Sequence, residues 1–175
     1  MSPPLRKLLA SVDLFAALDA DALHRVSEAG RLEHWRDGAL VLEEGAYGPR
    51  MLVILEGTVE ILRRDPAGVQ RPVSQLSSGQ LLGEMSLLLD LPRTATVRAR
   101  GDVMVFALDR RAFRDLLDTN EPAFLRLGFE LSRELARRVM ALNDSVMGLL
   151  AEAPELRTRF GSARQELFEL WEQGP

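Results

Sequence analysis

The sequence contains no cysteine. That absence excludes disulfides, thiolate nucleophiles, cysteine–zinc sites and cysteine-ligated iron–sulfur clusters. Histidine is almost as scarce. His24 and His34 each stand alone, with no partner at ligand spacing, so they read as surface or boundary residues and no metal is expected. No apolar run approaches the length of a bilayer span. The opening MSPPLRKLLASVDLF puts prolines and charges where a secretory signal needs a continuous apolar segment. A soluble, cytoplasmic protein without a membrane partner is expected. Neither sign of charge dominates: the net charge is −4, with acids and bases interspersed. This argues against a free-standing nucleic-acid binder, which carries a basic face, but a small anionic ligand needs only one local cation.

What is present suits one globular domain. Of 175 residues, 46% are hydrophobic and 27% charged, and a chain of this length buries roughly 70% of its unfolded surface. Residues 12–29 carry Leu18, Ala22, Leu23 and Val26 at helical spacing, with Asp19 as N-cap. After Gly30 come short apolar runs, LEHW, ALVLEE, MLVILEG, TVEILRR, RPVSQL, ATVRA and VMVFALD, separated by turn signals such as DG, EGAYGP and DPAG. This pattern predicts an antiparallel β-roll or jelly roll. A short helix is predicted over 109–118, capped by Asp109. A long one begins near Asn120 and Pro122 and runs to about Ala153, on the order of 45 Å. Its residues Leu135, Val139, Leu142, Val146 and Leu149 alternate spacings of four and three, the stripe of a coiled-coil seam. After Pro154 a last amphipathic helix is expected, with Trp171 on it. The fold class is therefore mainly β with flanking helices. The roll and its N-terminal helix occupy 1–120, a lid or dimerisation helix 121–153, and a helical tail 154–175.

The segment LLGEMSLLLDLPRTATV, residues 81–97, sets Glu84 and Arg93 in leucine-rich surroundings. Most Glu–Arg pairs at this separation are solvated and contribute little. Three features favour a binding role. Gly83 has no Cβ and permits close approach. EMSLLLD suits one helical turn, whose free N–H groups attract an anion. Arg93 stands beside the hydroxyl of Thr94 and the amide of Ala95, an anchor for a phosphate oxygen. No nucleophile–base constellation appears, so an enzyme is not expected.

This stretch resembles the phosphate-binding cassette of cyclic nucleotide-binding domains, the module shared by the catabolite activator protein, protein kinase regulatory subunits and cyclic-nucleotide-gated channels. Gly83, Glu84, Met85, Ser86 and Leu87, then Arg93, Thr94 and Ala95, meet the family pattern, and Gly38, Gly45, Gly48 and Gly57 match its hairpin glycines. Leu82 stands where many members have Phe. The resemblance covers roughly residues 12 to 150. It implies that Arg93 pairs with the exocyclic phosphate and that Glu84 accepts from the ribose 2′-hydroxyl. It further implies that Gly83 and Ser86 offer amides and that Thr94 and Ala95 complete the cradle. A buried unpaired Arg is costly, so a ligand or substitute anion belongs to the stable state. Thr94 resembles the residue that favours cGMP in some relatives, yet channel-type relatives with Thr there bind cAMP; cAMP is favoured on family frequency. In dimeric relatives a polar residue of the long helix caps the base, which places Asn143 there, beside Leu142 and Met147.

The resemblance thus implies a cyclic nucleotide sensor that relays occupancy through helix 121–153 to a homodimer interface or a protein partner. Two alternatives stay open. One is a transcription regulator of the catabolite activator type. Such relatives append a winged helix-turn-helix, whereas residues 154–175 read as one acidic-leaning helix, so specific DNA binding by this chain is not expected. The other is a scaffold, or a module for a cyclic dinucleotide.

Overall fold

A computed structural model describes residues 3–152 except 90 and 120. The expected tail helix over 154–175, Trp171 and the cap residue Asn120 lie outside the described residues. The helices are α1 (Pro3–Ala10), α2 (Ala20–Ala29), α3 (Glu84–Leu89), α4 (Arg110–Asp118) and α5 (Pro122–Glu152), with a 3₁₀ turn at Asp13–Phe15. The strands are β1 (Arg31–Trp35), β2 (Leu40–Leu42), β3 (Arg50–Arg64), β4 (Gln70–Ser77), β5 (Leu81–Leu82) and β6 (Thr96–Asp109). All pairings are antiparallel. The path is β1-β6-β3-β4, with β2 added to β6 and β5 to β3. This is the expected mainly β roll with flanking helices.

The expected cap of α2 is in place: the Asp19 carboxylate accepts from the Ala22 N–H at 2.8 Å. Apolar residues below it, Ala22, Leu23 and Val26, are buried. Helix α1 was not expected. Its prolines fall in a first helical turn, where proline is tolerated, and Leu5 and Leu9, four apart, are both buried.

Four of the expected strands are two. MLVILEG and TVEILRR join as β3, and ATVRA and VMVFALD join as β6; the two pair from Arg50↔Asp109 to Leu62↔Thr96. The register shifts between Ile54 and Glu56 and again between Glu56 and Thr58, so the strands bend without ending. Gly57 makes the bend possible. Its φ is +90°, and a Cβ there would overlap the Asp102 carbonyl.

Leu52, Ile54, Val59, Val97, Ala99, Val103, Val105 and Ala107 line the interior of the roll, joined by Val41, Leu42 and Leu82. The opposite face of the same strands is buried as well. Val53 pairs with Phe106 and Met51 with Leu108, and Phe106 meets Phe15 edge-on with ring centroids 6.3 Å apart. The first half of β3 is therefore a continuous buried run and not an alternating one. Each such side chain adds about 1.5–3 kcal/mol by burial.

Asp109 occupies the N-cap position of α4 but makes no side-chain cap. Its carboxylate takes Arg31 Nη1 at 2.9 Å instead. The chain divides into two units, one ending at Glu130 and the other beginning at Leu131, inside α5. In the second unit the expected stripe is largely in solvent: Val139 is 57%, Leu142 64% and Leu149 62% exposed, with Leu135 and Val146 half-buried.

Candidate functional site

Strand β5 is two residues long, Leu81 and Leu82, and both are buried against β3 through Leu52↔Leu82 and Val53↔Leu81. This anchor delivers the chain to Gly83 and straight into α3. Gly83 has φ +71°, in the left-handed region that side chains avoid. The group that approaches it closely is Arg93: a Cβ at position 83 would overlap Arg93 Nη1 and lie 2.8 Å from the Arg50 carbonyl oxygen. Arg93 Nη1 donates to the Gly83 carbonyl at 3.2 Å.

The main chain of Arg93 is pinned on both sides. Its N–H donates to the Ala46 carbonyl at 2.9 Å, and its carbonyl accepts from the Gly45 N–H at 2.8 Å. The loop glycines of EGAYGP thus shape the wall of the site. A Cβ on Gly48 would stand 3.5 Å from Arg93 Nη2. The side chain so enclosed is 5% exposed, and Nη2 is buried without a hydrogen-bond partner. The Arg93 pKa is pulled down from its ordinary value, first by burial and then by the charge of Arg50, while Glu84 acts in the opposite sense. A guanidinium in that position favours an anion.

Of the other predicted residues, Glu84 opens α3 and is buried, as is Ser86. Met85, between them, is exposed. Thr94 is exposed and Ala95 half-buried, while the next residue, Thr96, is buried. Its Oγ1 accepts from the Glu44 N–H at 3.1 Å and from Gln70 Nε2 at 3.2 Å. Asn143 is exposed on α5, in the second unit. The structure therefore groups Gly83, Glu84, Ser86 and Arg93 with their chain neighbours in the first unit.

Two arginines of the site were not anticipated. Arg50 lies near enough to Arg93 to repel it and is itself held by Glu33 Oε1 at 2.6 Å. Arg110 reaches back from α4 to carbonyls of α3. Neither belongs to a local motif. Only the pairing of β6 with β3, which sets Asp109 beside Arg50, brings them in. Both histidines are exposed. Among the described residues, no three His, Cys, Asp or Glu converge as a metal site, and no helix is long and apolar enough to cross a membrane.

A roll that presents a buried, incompletely bonded cation beside an acidic helix start is a small-anion-binding module. Comparison with known proteins gives it a family. The model of the cyclic nucleotide-binding domain matches residues 32–120, just over half of the chain. The chain belongs to the cyclic nucleotide-binding domain family. It is 32% identical over 109 residues to a cAMP-dependent protein kinase regulatory subunit of Blastocladiella emersonii, covering 62% of this chain and 27% of that protein. It thus spans about a quarter of that curated relative.

Among solved structures, the regulatory domain of Toxoplasma gondii PKA crystallised with cAMP superposes with a TM-score of 0.62 at 27% identity, covering 73% of this chain and 48% of the other. The N-terminal domain of a transcriptional regulator from Streptomyces coelicolor A3(2) gives a TM-score of 0.62 at 29% identity, covering 79% of this chain and 94% of that one.

Proposed function

We propose that this chain is a cAMP-responsive regulatory domain. The observation that carries the reading is Arg93, a buried guanidinium whose Nη2 has no partner while two glycines keep the space around it clear of side chains. A phosphate supplies what that group lacks: a charge-assisted, forked hydrogen bond in a dry setting. In this reading Arg93 holds the cyclic phosphate, with the Gly83–Ser86 and Thr94–Ala95 main chain beside it. Glu84 accepts from the ribose 2′-hydroxyl. Relatives whose names include cAMP support cAMP over cGMP, and exposed Thr94 is free to meet the base of either.

The chain acts by binding and not by catalysis. The output runs through α5, whose exposed Val139, Leu142 and Leu149 suit a seam with a second copy. Nucleotide that binds one arrangement of α5 better than another shifts the population toward it. A cytoplasmic setting is in keeping with this role. A second reading, that the chain is the sensor part of a transcription regulator, is favoured by the near-complete coverage of the Streptomyces N-terminal domain.

Calorimetric titration of nucleotide-stripped protein with cAMP, cGMP and a cyclic dinucleotide tests the proposal. It expects micromolar or tighter binding of cAMP. Heat with cGMP alone, with the cyclic dinucleotide alone, or with none of the three, refutes it. Sedimentation of Leu142→Glu against the parent tests the seam, with a shift from dimer to monomer expected.

A further inference from the structure

The helix that carries Glu84 and Ser86 is gripped at its far end by a side chain outside the cassette. Arg110 is the first residue of α4, and its N–H donates to the Pro49 carbonyl at 2.7 Å. Its main chain is thereby fixed to the loop that walls Arg93. From there Nε donates to the Leu87 carbonyl at 2.7 Å, and Nη2 donates to the Ser86 carbonyl. Both acceptors are among the last four residues of α3 (Glu84–Leu89). Carbonyls so placed have no donor four residues on within the helix, and the summed peptide dipoles make that end negative. A guanidinium supplies two donors in one rigid fork, which an ammonium cannot.

Helix α3 buries Glu84, Ser86 and Leu87, but its own hydrogen bonds cannot hold its direction. It is six residues long, far below the length at which a helix stands alone. Its outer face, Met85, Leu88 and Leu89, is exposed.

We infer that Arg110 is a positioning residue for the nucleotide site. It acts through α3, seating Glu84 and Ser86 beside Gly83 and Arg93, and it ties that seat to α4, the element immediately before α5. The inference rests on the nucleotide-binding reading, but one of its tests does not.

The experiment uses the full chain and two variants: Arg110→Met, which keeps the stem and removes the donors, and Arg110→Lys, which keeps the charge and guards against a folding failure. Calorimetry with cAMP reads affinity. Amide hydrogen exchange without nucleotide reads α3, where the Leu87 N–H bonded to the Gly83 carbonyl at 3.1 Å is the reporter. Arg110→Met is expected to weaken cAMP about tenfold, the order expected for lost hydrogen bonds from a charged donor. Exchange should rise in α3 and not in β3 or β6, and Arg110→Lys should recover only part of both. Affinity unchanged within about twofold, or exchange that rises evenly through the roll, overturns the inference. If the parent does not bind cAMP, the functional reading fails. The exchange data then decide the clamp alone: a selective rise in α3 upholds it, and an unchanged α3 refutes it.

Discussion

Arg25 on α2 and Arg93 in the cassette belong to the same unit and are treated in opposite ways. Arg25 is substantially exposed, where water already satisfies a cation, yet its two terminal nitrogens fork onto both oxygens of Glu121. Its guanidinium also lies 4.9 Å from the centroid of the Phe124 ring. Its pKa is raised, chiefly by the hydrogen bond to Glu121. Arg93 is buried, where a partner is worth most, yet it keeps an unbonded Nη2 and a lowered pKa. Exposed pairs contribute little to stability, whereas a buried cation with incomplete bonding costs several kcal/mol. The fold has completed the pair that matters least to its own stability and left open the one that matters most. In the proposed function the open one is the group kept for a ligand.

That contrast can be broken at several points. The largest expected effect is at Arg93 itself. Arg93→Met should weaken cAMP binding by about a hundredfold or more, since it removes a charge-assisted fork to phosphate; titration reads this directly. Next is the glycine beside it. Gly83→Ala combines φ +71° with overlap on Arg93 and the Arg50 carbonyl. It should destabilise the protein by about 1–3 kcal/mol and reduce affinity as well. Gly38→Ala is the control. Its φ is +75° but nothing lies within 4 Å of its added Cβ, so only the backbone cost of about 1 kcal/mol is expected, with affinity unchanged. Denaturant melts of the two variants separate strain from clash.

Glu84→Gln should weaken cAMP about tenfold while leaving 2′-deoxy-cAMP nearly unaffected, a difference that isolates the hydroxyl contact. The smallest effect belongs to the exposed pair. Hydrogen bonding to Arg25 holds the Glu121 carboxyl below its ordinary 4.5. A depressed acid stabilises the folded state above its unfolded pKa, and that contribution fades as pH falls through the folded value. Thermal melts of Glu121→Gln should therefore match the parent closely near pH 7 and show a shallower loss below about pH 4.5.

What could be read in the chain divides along the same line. The candidate pairing of Gly83-Glu84 with Arg93 was legible because charge inside a leucine-rich run is locally conspicuous. Asp19 was legible because capping is local too. The seven short runs gave the right sheet but the wrong strand count, since Gly57 in β3 and Gly101 in β6 bend their strands without ending them and the two-residue β5 is too short to show a period. Asp109 was read correctly as the cap position, but its side chain was claimed by Arg31, a residue of another strand. Arg50 and Arg110 could not be found, because β3–β6 pairing and not sequence distance brings them to the cassette. Helix α1 is eight residues long, too short for Leu5 and Leu9 to establish a helical period.

In the proposed function Arg93 serves a ligand at the expense of the fold. Thermal unfolding of the parent and Arg93→Met, each with and without cAMP, tests it most directly. Ligand-free Arg93→Met should be as stable as the parent or more so, because a buried, incompletely paired charge is gone. At about a hundred times the parent's dissociation constant, cAMP should stabilise the parent by about 2.7 kcal/mol and the variant by about 0.4 kcal/mol or less. A ligand-free variant that unfolds well below the parent would contradict it, showing that Arg93 is there to hold the roll together.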